Sequence, residues 1–350
     1  MNATIPSSTG FSTQYKNFGQ TSNKGIELAL DAVIVDTKDF GLNANFNISY
    51  NRAKIDKLAG GQTWQSSNWG GKPAGQNDFF IEEGGRLGEV YGYELDGFYT
   101  TDDFSWDGSK WILNENLTDP TELIKYNNFG PGSLKLKADE DGKFTKKRLG
   151  NTVPTVTGGF GINMRYKNFD LSAFFNYSLG NKIVNATKLG SSYYNDTKKG
   201  WNLNDNFTLA KRYSWIDPST GENMLKSSYI KSNGLDYTIN RLNEINAGAS
   251  MYNPGSITEM PLLDWAVEDG SFLRVNNISI GYTLPKVFVN KMFMQNVRIY
   301  VTGYNLYCFT KYSGADPEVD TRRSTPMTPG VDYSAYPKSR SFVGGINVTF

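Results

Sequence analysis

The sequence predicts an all-β chain of antiparallel strands forming part of a transmembrane β-barrel, with about ten strands. Three observations carry this reading. Apolar and polar residues alternate with period 2 in segment after segment. The connections between these segments are sharply unequal in length. The chain also ends on an alternating stretch that closes with Phe350, where a soluble domain gains little from an apolar residue because termini fray into water.

The segments follow in chain order. In GIELALDAVI, Ile26, Leu28, Leu30, Ala32 and Ile34 oppose Glu27 and Asp31. FGLNANFNISYN (Phe40 to Asn51) sets Phe40, Leu42, Ala44, Phe46, Ile48 and Tyr50 against Gly41, Asn43, Asn45, Asn47, Ser49 and Asn51. GFGINMRY places Phe160, Ile162, Met164 and Tyr166 opposite Gly161, Asn163 and Arg165. FDLSAFFNYS places Phe169, Leu171, Ala173, Phe175 and Tyr177 opposite Asp170, Ser172, Asn176 and Ser178. In NNISIGYTL the apolar row is Ile278, Ile280, Tyr282 and Leu284, and in NVRIYVTG it is Val297, Ile299 and Val301. The last segment, SRSFVGGINVTF, sends Phe342, Gly344, Ile346, Val348 and Phe350 one way and Val343, Gly345, Asn347 and Thr349 the other.

Alternation alone also fits a soluble sandwich, but sandwiches carry turn signals at regular short intervals. Here VDTKD and YKN are tight, whereas the stretches near 55–77, 100–154, 186–270 and 307–340 are long, polar and aromatic. Short turns on one side and long loops on the other are the pattern of an outer-membrane barrel. PKVFVNKMFMQ (Pro285 to Gln295) is the longest connection on the short side and is expected to hold a helical turn.

Composition narrows the function. Hydrophobic residues make up 38% and mean hydropathy is −0.49, and no apolar run is long enough for a spanning helix. A barrel remains open, because only every second strand residue meets lipid. With no histidine in the chain, the commonest general base and His-ligated metals are gone. The single Cys308 forms no internal disulfide or thiolate cluster, and a net charge of +1 gives no pull toward nucleic acid. The chain is not expected to be an enzyme. MNATIPSSTGF has neither the basic nor the apolar region of a signal peptide, so the chain is expected to be the C-terminal part of something larger.

Six stretches then point to a family. IPSSTGF…NFGQTSNKGIEL (Ile5 to Leu28) enters a strand through Asn-Lys-Gly-Ile-Glu, and LGEVYGYELDGFYTTDDF (Leu87 to Phe104) holds a Gly-x-x-x-Gly-Tyr-like block. PGSLKLKADEDGKFT…LGNTVPTVTGGFGINMRYKNFDLSAFFNYSLGNKI runs from Pro131 to Ile183, and DGSFLRVNNISIGYTLP from Asp269 to Pro285. YNLYCFTKYSGADPE (Tyr304 to Glu318) and YPKSRSFVGGINVTF (Tyr336 to Phe350) complete the series. In this order they resemble the C-terminal barrel portion of SusC/RagA-type TonB-linked outer-membrane transporters. The resemblance implies a barrel of about 22 strands around an N-terminal plug, energised by TonB and capped by a SusD-like surface lipoprotein. Its cargo would be oligosaccharide or peptide. Residues 1–350 have no counterpart of the signal peptide, TonB box, plug or first half of the barrel, so this barrel portion is not expected to transport by itself. An incomplete barrel leaves two strand edges that hydrocarbon does not tolerate.

Candidate sites follow from the same residues. KADEDGKFTKKR (Lys137 to Arg148) has Asp139, Asp141 and Gly142 at positions 3, 5 and 6 of a calcium-type loop. Lys137 and Arg148 replace the ligands at its ends, so an Asp-Gly turn without metal is expected and no cofactor is implied. Trp64, Trp69, Trp106, Trp111, Trp201, Trp215 and Trp265 all fall in the long connections. They suit contact with cargo or lid, the alternatives being an aromatic girdle or small cores inside ordered loops. The Asn, Ser, Thr and Gly residues of 41–51 and 277–283 make a neutral polar wall, and Arg165 and Arg298 look inward, where the resemblance suggests plug contacts. Phe342, Ile346, Val348 and Phe350 resemble the signal read by the outer-membrane assembly machinery. A self-contained small porin or adhesin barrel and a soluble β-rich carbohydrate-binding module stand as competing readings.

Overall fold

The computed structural model describes residues 2–4, 13–15, 19–58, 64–66, 78–194, 202–321 and 328–350. Its centre is one antiparallel sheet of seven long strands: β1 (Gly19–Asp36), β2 (Phe40–Leu58), β3 (Val156–Tyr166), β4 (Phe169–Leu179), β5 (Phe272–Thr283), β6 (Asn296–Thr310) and β7 (Ser341–Thr349). Neighbours in sequence are neighbours in space, from β1 at one edge to β7 at the other. The seven alternating segments are these seven strands. Among the described residues this sheet has seven strands rather than about ten, and the other strand-like stretches, such as Glu89–Gly92 and Leu134–Leu136, pair in small sheets away from it. Among the described residues β1 and β7 do not pair, so the sheet stays open and a small self-closed barrel is not what forms.

The register keeps like faces together. Phe46, Phe160, Phe175 and Val275 lie in one cross-strand row, and Asn43, Asn163, Ser172 and Ser279 in another on the opposite face. Two of the sheet's bulges adjust the pattern within the apolar band. One between Val33 and Val35 takes Ile34 out of the apolar row, and one between Val275 and Asn277 keeps the upper part of β5 in step.

The short turns share one rim. Thr37 closes the first, its hydroxyl accepting from the Phe40 amide at 3.1 Å, and the second turns at Lys167 with φ 52°. The third is longer and, as expected, helical: α4 (Lys286–Val289) follows three earlier helices in the long connections, α1 (Ala186–Gly190), α2 (Ser227–Asn233) and α3 (Leu235–Ile245).

Among the described residues, nothing covers the apolar face. Ile26, Leu30, Ile280, Val301, Phe342 and Ile346 are all more than half exposed. The buried core lies instead in the long connections. One cluster gathers Phe79, Val90, Leu134, Leu189, Tyr252 and Leu263, and a second gathers Tyr99, Phe104, Trp111, Trp215, Met224 and Leu242. The apolar band has a definite height. From Phe40 to Tyr50 on β2 it climbs ten residue steps, about 33 Å along the strand, or about 25 Å at a barrel's usual tilt. Phe40, Tyr166, Phe169 and Tyr282 line its lower rim in one register row.

An arginine in this band should be costly, and one on the other face should not. Ile278→Arg, in the register row of Ala44 near the middle of the band, is expected to lose about 2–4 kcal/mol of folding stability in lipid vesicles, while Asn43→Arg stays near the parent. Heat-modifiable gel mobility across a urea series measures both, and equal effects would show that the two faces see the same solvent.

Candidate functional site

The polar face and the loops above it form the candidate site. Near the short turns, Arg298 on β6 reaches across β5 to pair with Asp170 on β4, its Nε donating at 2.9 Å. The reach passes over Gly281, where an added Cβ would meet the Arg298 guanidinium and the Asp170 carboxylate and push the pair aside. Arg165 on β3 donates to the Thr37 and Lys38 carbonyls at 2.9 and 3.0 Å and pairs with Asp36. It thereby fastens the first turn from the polar side. Both arginines face inward, as the alternation requires.

Near the long connections, Arg274 on β5 is 4% exposed and reaches two carboxylates of the GADPE loop. Its Nε donates to Glu318 at 2.6 Å and its terminal nitrogen to Asp316 at 2.6 Å. Lys338 shares Glu318, again at 2.6 Å. This cluster bolts the connection between β6 and β7 to the middle of the sheet. It went unread in the sequence, although the acid-Pro-acid order of Asp316, Pro317 and Glu318 beside a strand arginine is the signal that could have shown it. Next to it a cavity of about 570 Å³ opens between the polar wall and the loops, lined in part by Thr157, Asn176, Asn181 and Phe272. Asn176 Oδ1 is buried there without a hydrogen-bond partner among the described residues, so it can accept a bond from a guest.

Two polar knots hold the loops themselves. Glu268 accepts from the Ser313 amide and hydroxyl, each at 2.7 Å, and from Lys188 at 3.1 Å. Burial pulls its carboxyl up, but these donors outweigh burial and hold it below the usual range. Lys188 also lies 4.6 Å from the centre of the Trp265 ring. In the second knot Asp217 accepts from Tyr229 at 2.6 Å and from Arg241 at 3.2 Å. The tyrosine bond first, then the Ser219 amide and Arg241, bring its pKa down to about 2.

The tryptophans divide. Trp111 and Trp215 are buried in the second loop cluster, where Trp215 Nε1 donates to the Pro131 carbonyl at 2.7 Å. They serve the loop core, one of the alternatives weighed for the set. Trp106 packs edge-on against Trp111 at 5.5 Å and is half-buried, as is Trp265. Trp64 lies in the strand Trp64–Ser66, while Trp69 and Trp201 fall outside the described residues.

Asp139 and Asp141 sit in a tight turn. Asp139 Oδ1 accepts from the amides of Asp141 and Lys143 at 3.1 and 2.8 Å, and Gly142 takes φ 77°. Lys137 turns away to Glu94 and Arg148 to Glu89. Among the described residues no three His, Cys, Asp or Glu side chains converge as a metal site would need.

Two substitutions probe the knots. Arg274→Gln leaves Asp316 buried without its cation and is expected to cost about 3–5 kcal/mol, with faster amide exchange over residues 312–338. Unchanged exchange there would mean that the arginine does not hold the loop. Asp217 has a folded pKa of about 2 against about 3.9 unfolded, so its contribution is present above pH 4 and lost on falling toward 2. Asp217→Asn should therefore lower the melting temperature at pH 7, with the gap to the parent closing below pH 4.

No family model matches the chain. It is 30% identical over 358 aligned positions to TonB-dependent receptor P3 of Formosa agariphila, covering 99% of this chain and 30% of that protein. It is 25% identical to TonB-dependent receptor SusC of Bacteroides thetaiotaomicron, covering 99% of this chain and 28% of that one. In fold it is similar to a structure of the RagAB peptide importer, with a TM-score of 0.59 at 23% identity, covering 99% of this chain and 31% of the solved one. These relatives are receptors and importers, not enzymes. The chain spans roughly a third or less of the length of each. From end to end, then, it resembles a stretch of the SusC/RagA-type TonB-dependent receptors.

Proposed function

We propose that residues 1–350 are the C-terminal part of the barrel of an outer-membrane, TonB-dependent nutrient importer. The observation that carries this is the two-faced sheet in a chain that matches such receptors from end to end: an uncovered apolar band about 25 Å tall backs a polar wall. The strands cross the membrane, the short turns face the periplasm and the long connections lie outside. In the whole protein these strands join others in a barrel of about 22, and TonB acts through the N-terminal region.

Cargo is oligosaccharide or peptide, taken up beneath a SusD-like surface lipoprotein that docks on the loops. The neutral wall of Asn43, Asn45, Asn47 and Asn163 and the half-buried Trp106 and Trp265 favour this reading, with Trp64, Trp69 and Trp201 as further cargo or lid contacts. Trp111 and Trp215 act indirectly, by shaping the loops. The exposed row of Phe342, Ile346, Val348 and Phe350 meets lipid and is read by the assembly machinery. Asp139 and Asp141 shape a turn, and the proposal needs no cofactor and no nucleic acid.

The test is uptake of a fluorescent oligosaccharide and a fluorescent peptide by cells making the full-length protein, with and without TonB. Uptake of either that stops when TonB is removed supports the proposal. Uptake of both at the same rate without TonB would replace it with a passive pore.

A further inference from the structure

Above the apolar band the outward face of the β1–β2 hairpin changes character. Parity carried up from Tyr50 sends Arg52 and Lys54 outward, and the register sets Lys24 directly opposite Arg52 and Ser22 opposite Lys54. Lys24, Arg52 and Lys54 are all exposed. The nearby carboxylate on this face, Asp56, accepts from the Ser22 hydroxyl at 2.9 Å, and among the described residues no ion pair joins any of the three cations to an acid. Like charges directly opposite each other in an antiparallel pair repel. Lys24 lies on the edge strand, where a cation is ordinary protection; Arg52 and Lys54 lie on β2 beyond Tyr50, where its ladder with β3 has ended and that with β1 continues.

The height of the three is informative. Arg52 and Lys54 stand two and four residues past Tyr50, about 5 and 10 Å above the band along the membrane normal. Arg52 thus stands within the headgroup layer, which adds about 5–8 Å on each side of the hydrocarbon, and Lys54 just above it. Long cationic side chains can adjust their tips to it.

We propose that Lys24, Arg52 and Lys54 bind the phosphate groups of a phosphorylated lipid headgroup in the leaflet on the long-connection side. The anion neutralises a like-charge pair that the fold otherwise tolerates at a cost, and Arg52 can take a phosphate through two parallel N–H bonds. This rests on the membrane reading above.

The experiment uses the full-length protein carrying this chain in nanodiscs of phosphatidylcholine, with or without diphosphoryl lipid A. Lys24→Gln/Arg52→Gln/Lys54→Gln is expected to weaken retention of lipid A by roughly a hundredfold, about fivefold per charge. In phosphatidylcholine alone the same variant should melt at or above the parent temperature, since the repulsion is gone. Arg52→Gln alone should shift both readouts in the same directions and serves if the triple variant does not assemble. Unchanged retention of lipid A overturns the proposal. So does an equal fall in melting temperature with and without lipid A, which would mean that the cations pair with carboxylates on an adjoining strand. Val301→Cys in a Cys308→Ser background, probed with a water-soluble maleimide, tests the membrane reading separately. If it is shielded while lipid A retention is unchanged, only the site fails; if it is labelled, the membrane reading and the site fall together.

Discussion

A single twisted sheet cannot bury its own faces, and everything else in this molecule depends on how that is resolved. Ile26, Leu28, Leu30, Ile280, Val301 and Ile346 stand uncovered along one face, where each would forgo about 1.5–3 kcal/mol of burial if left in water. A soluble protein meets that demand with a second sheet or a layer of helices. Here α1, α2 and α3 are in the long connections and α4 in a short turn, and none among the described residues is long and apolar enough to cross a membrane. The solvent has to supply the second layer. Hydrocarbon supplies it on one condition, that the backbone hydrogen bonds are closed from strand to strand, and the cross-strand ladder from β1 to β7 meets this except at its two edges and on the β7 side of β6 beyond Tyr304.

The core has moved accordingly. In most β proteins the inward strand residues form it, but here the inward face is a wall of Asn, Ser and Gly, and the apolar clusters lie in the connections. Those connections are long, and their closure entropy must be offset by packing. Tyr99, Trp111, Trp215 and Leu242 bring together stretches distant in sequence. The polar knots act differently. A buried pair such as Arg274 with Asp316 adds little net stability over an apolar pair of equal volume, because both charges must shed water. What it adds is a defined position, fixing the loop after β6 at the mouth of the polar wall.

This division explains how much was legible. Alternation reported each of the seven strands, because a strand with lipid on one side and water on the other must obey period 2 residue by residue. It failed where the solvents change. β1 and β2 continue to Gly19 and Leu58, past the readable end of the pattern at Asn51, because above the band the outward face turns charged while Ile55 and Leu58 pack inward with Ile81. Phe174 also broke the rule: it faces the polar side, paired with Asn277. Of the candidate site, Arg165 and Arg298 were legible because parity fixes their side of the sheet. The pairing of Arg274 with Asp316 and Glu318 was not, and neither was the burial of Trp111 and Trp215, because these contacts join residues that no local period relates.

The two open edges bear on what surrounds the sheet. β1 runs for 18 residues and β7 for 9, so if they met, half of β1 would remain unpaired. Even the smallest filled barrels use about eight strands, and seven would leave the inward arginines and asparagines competing for too little space. Each unpaired amide or carbonyl in hydrocarbon costs several kcal/mol, and an edge the length of β7 presents several. Neither self-closure nor exposure to lipid is therefore a stable resting state for these edges. Each needs a neighbouring strand of its own length, a long one beside β1 and a short one beside β7. A larger circle of strands provides both at once, and it also gives the polar wall a water-filled interior to face.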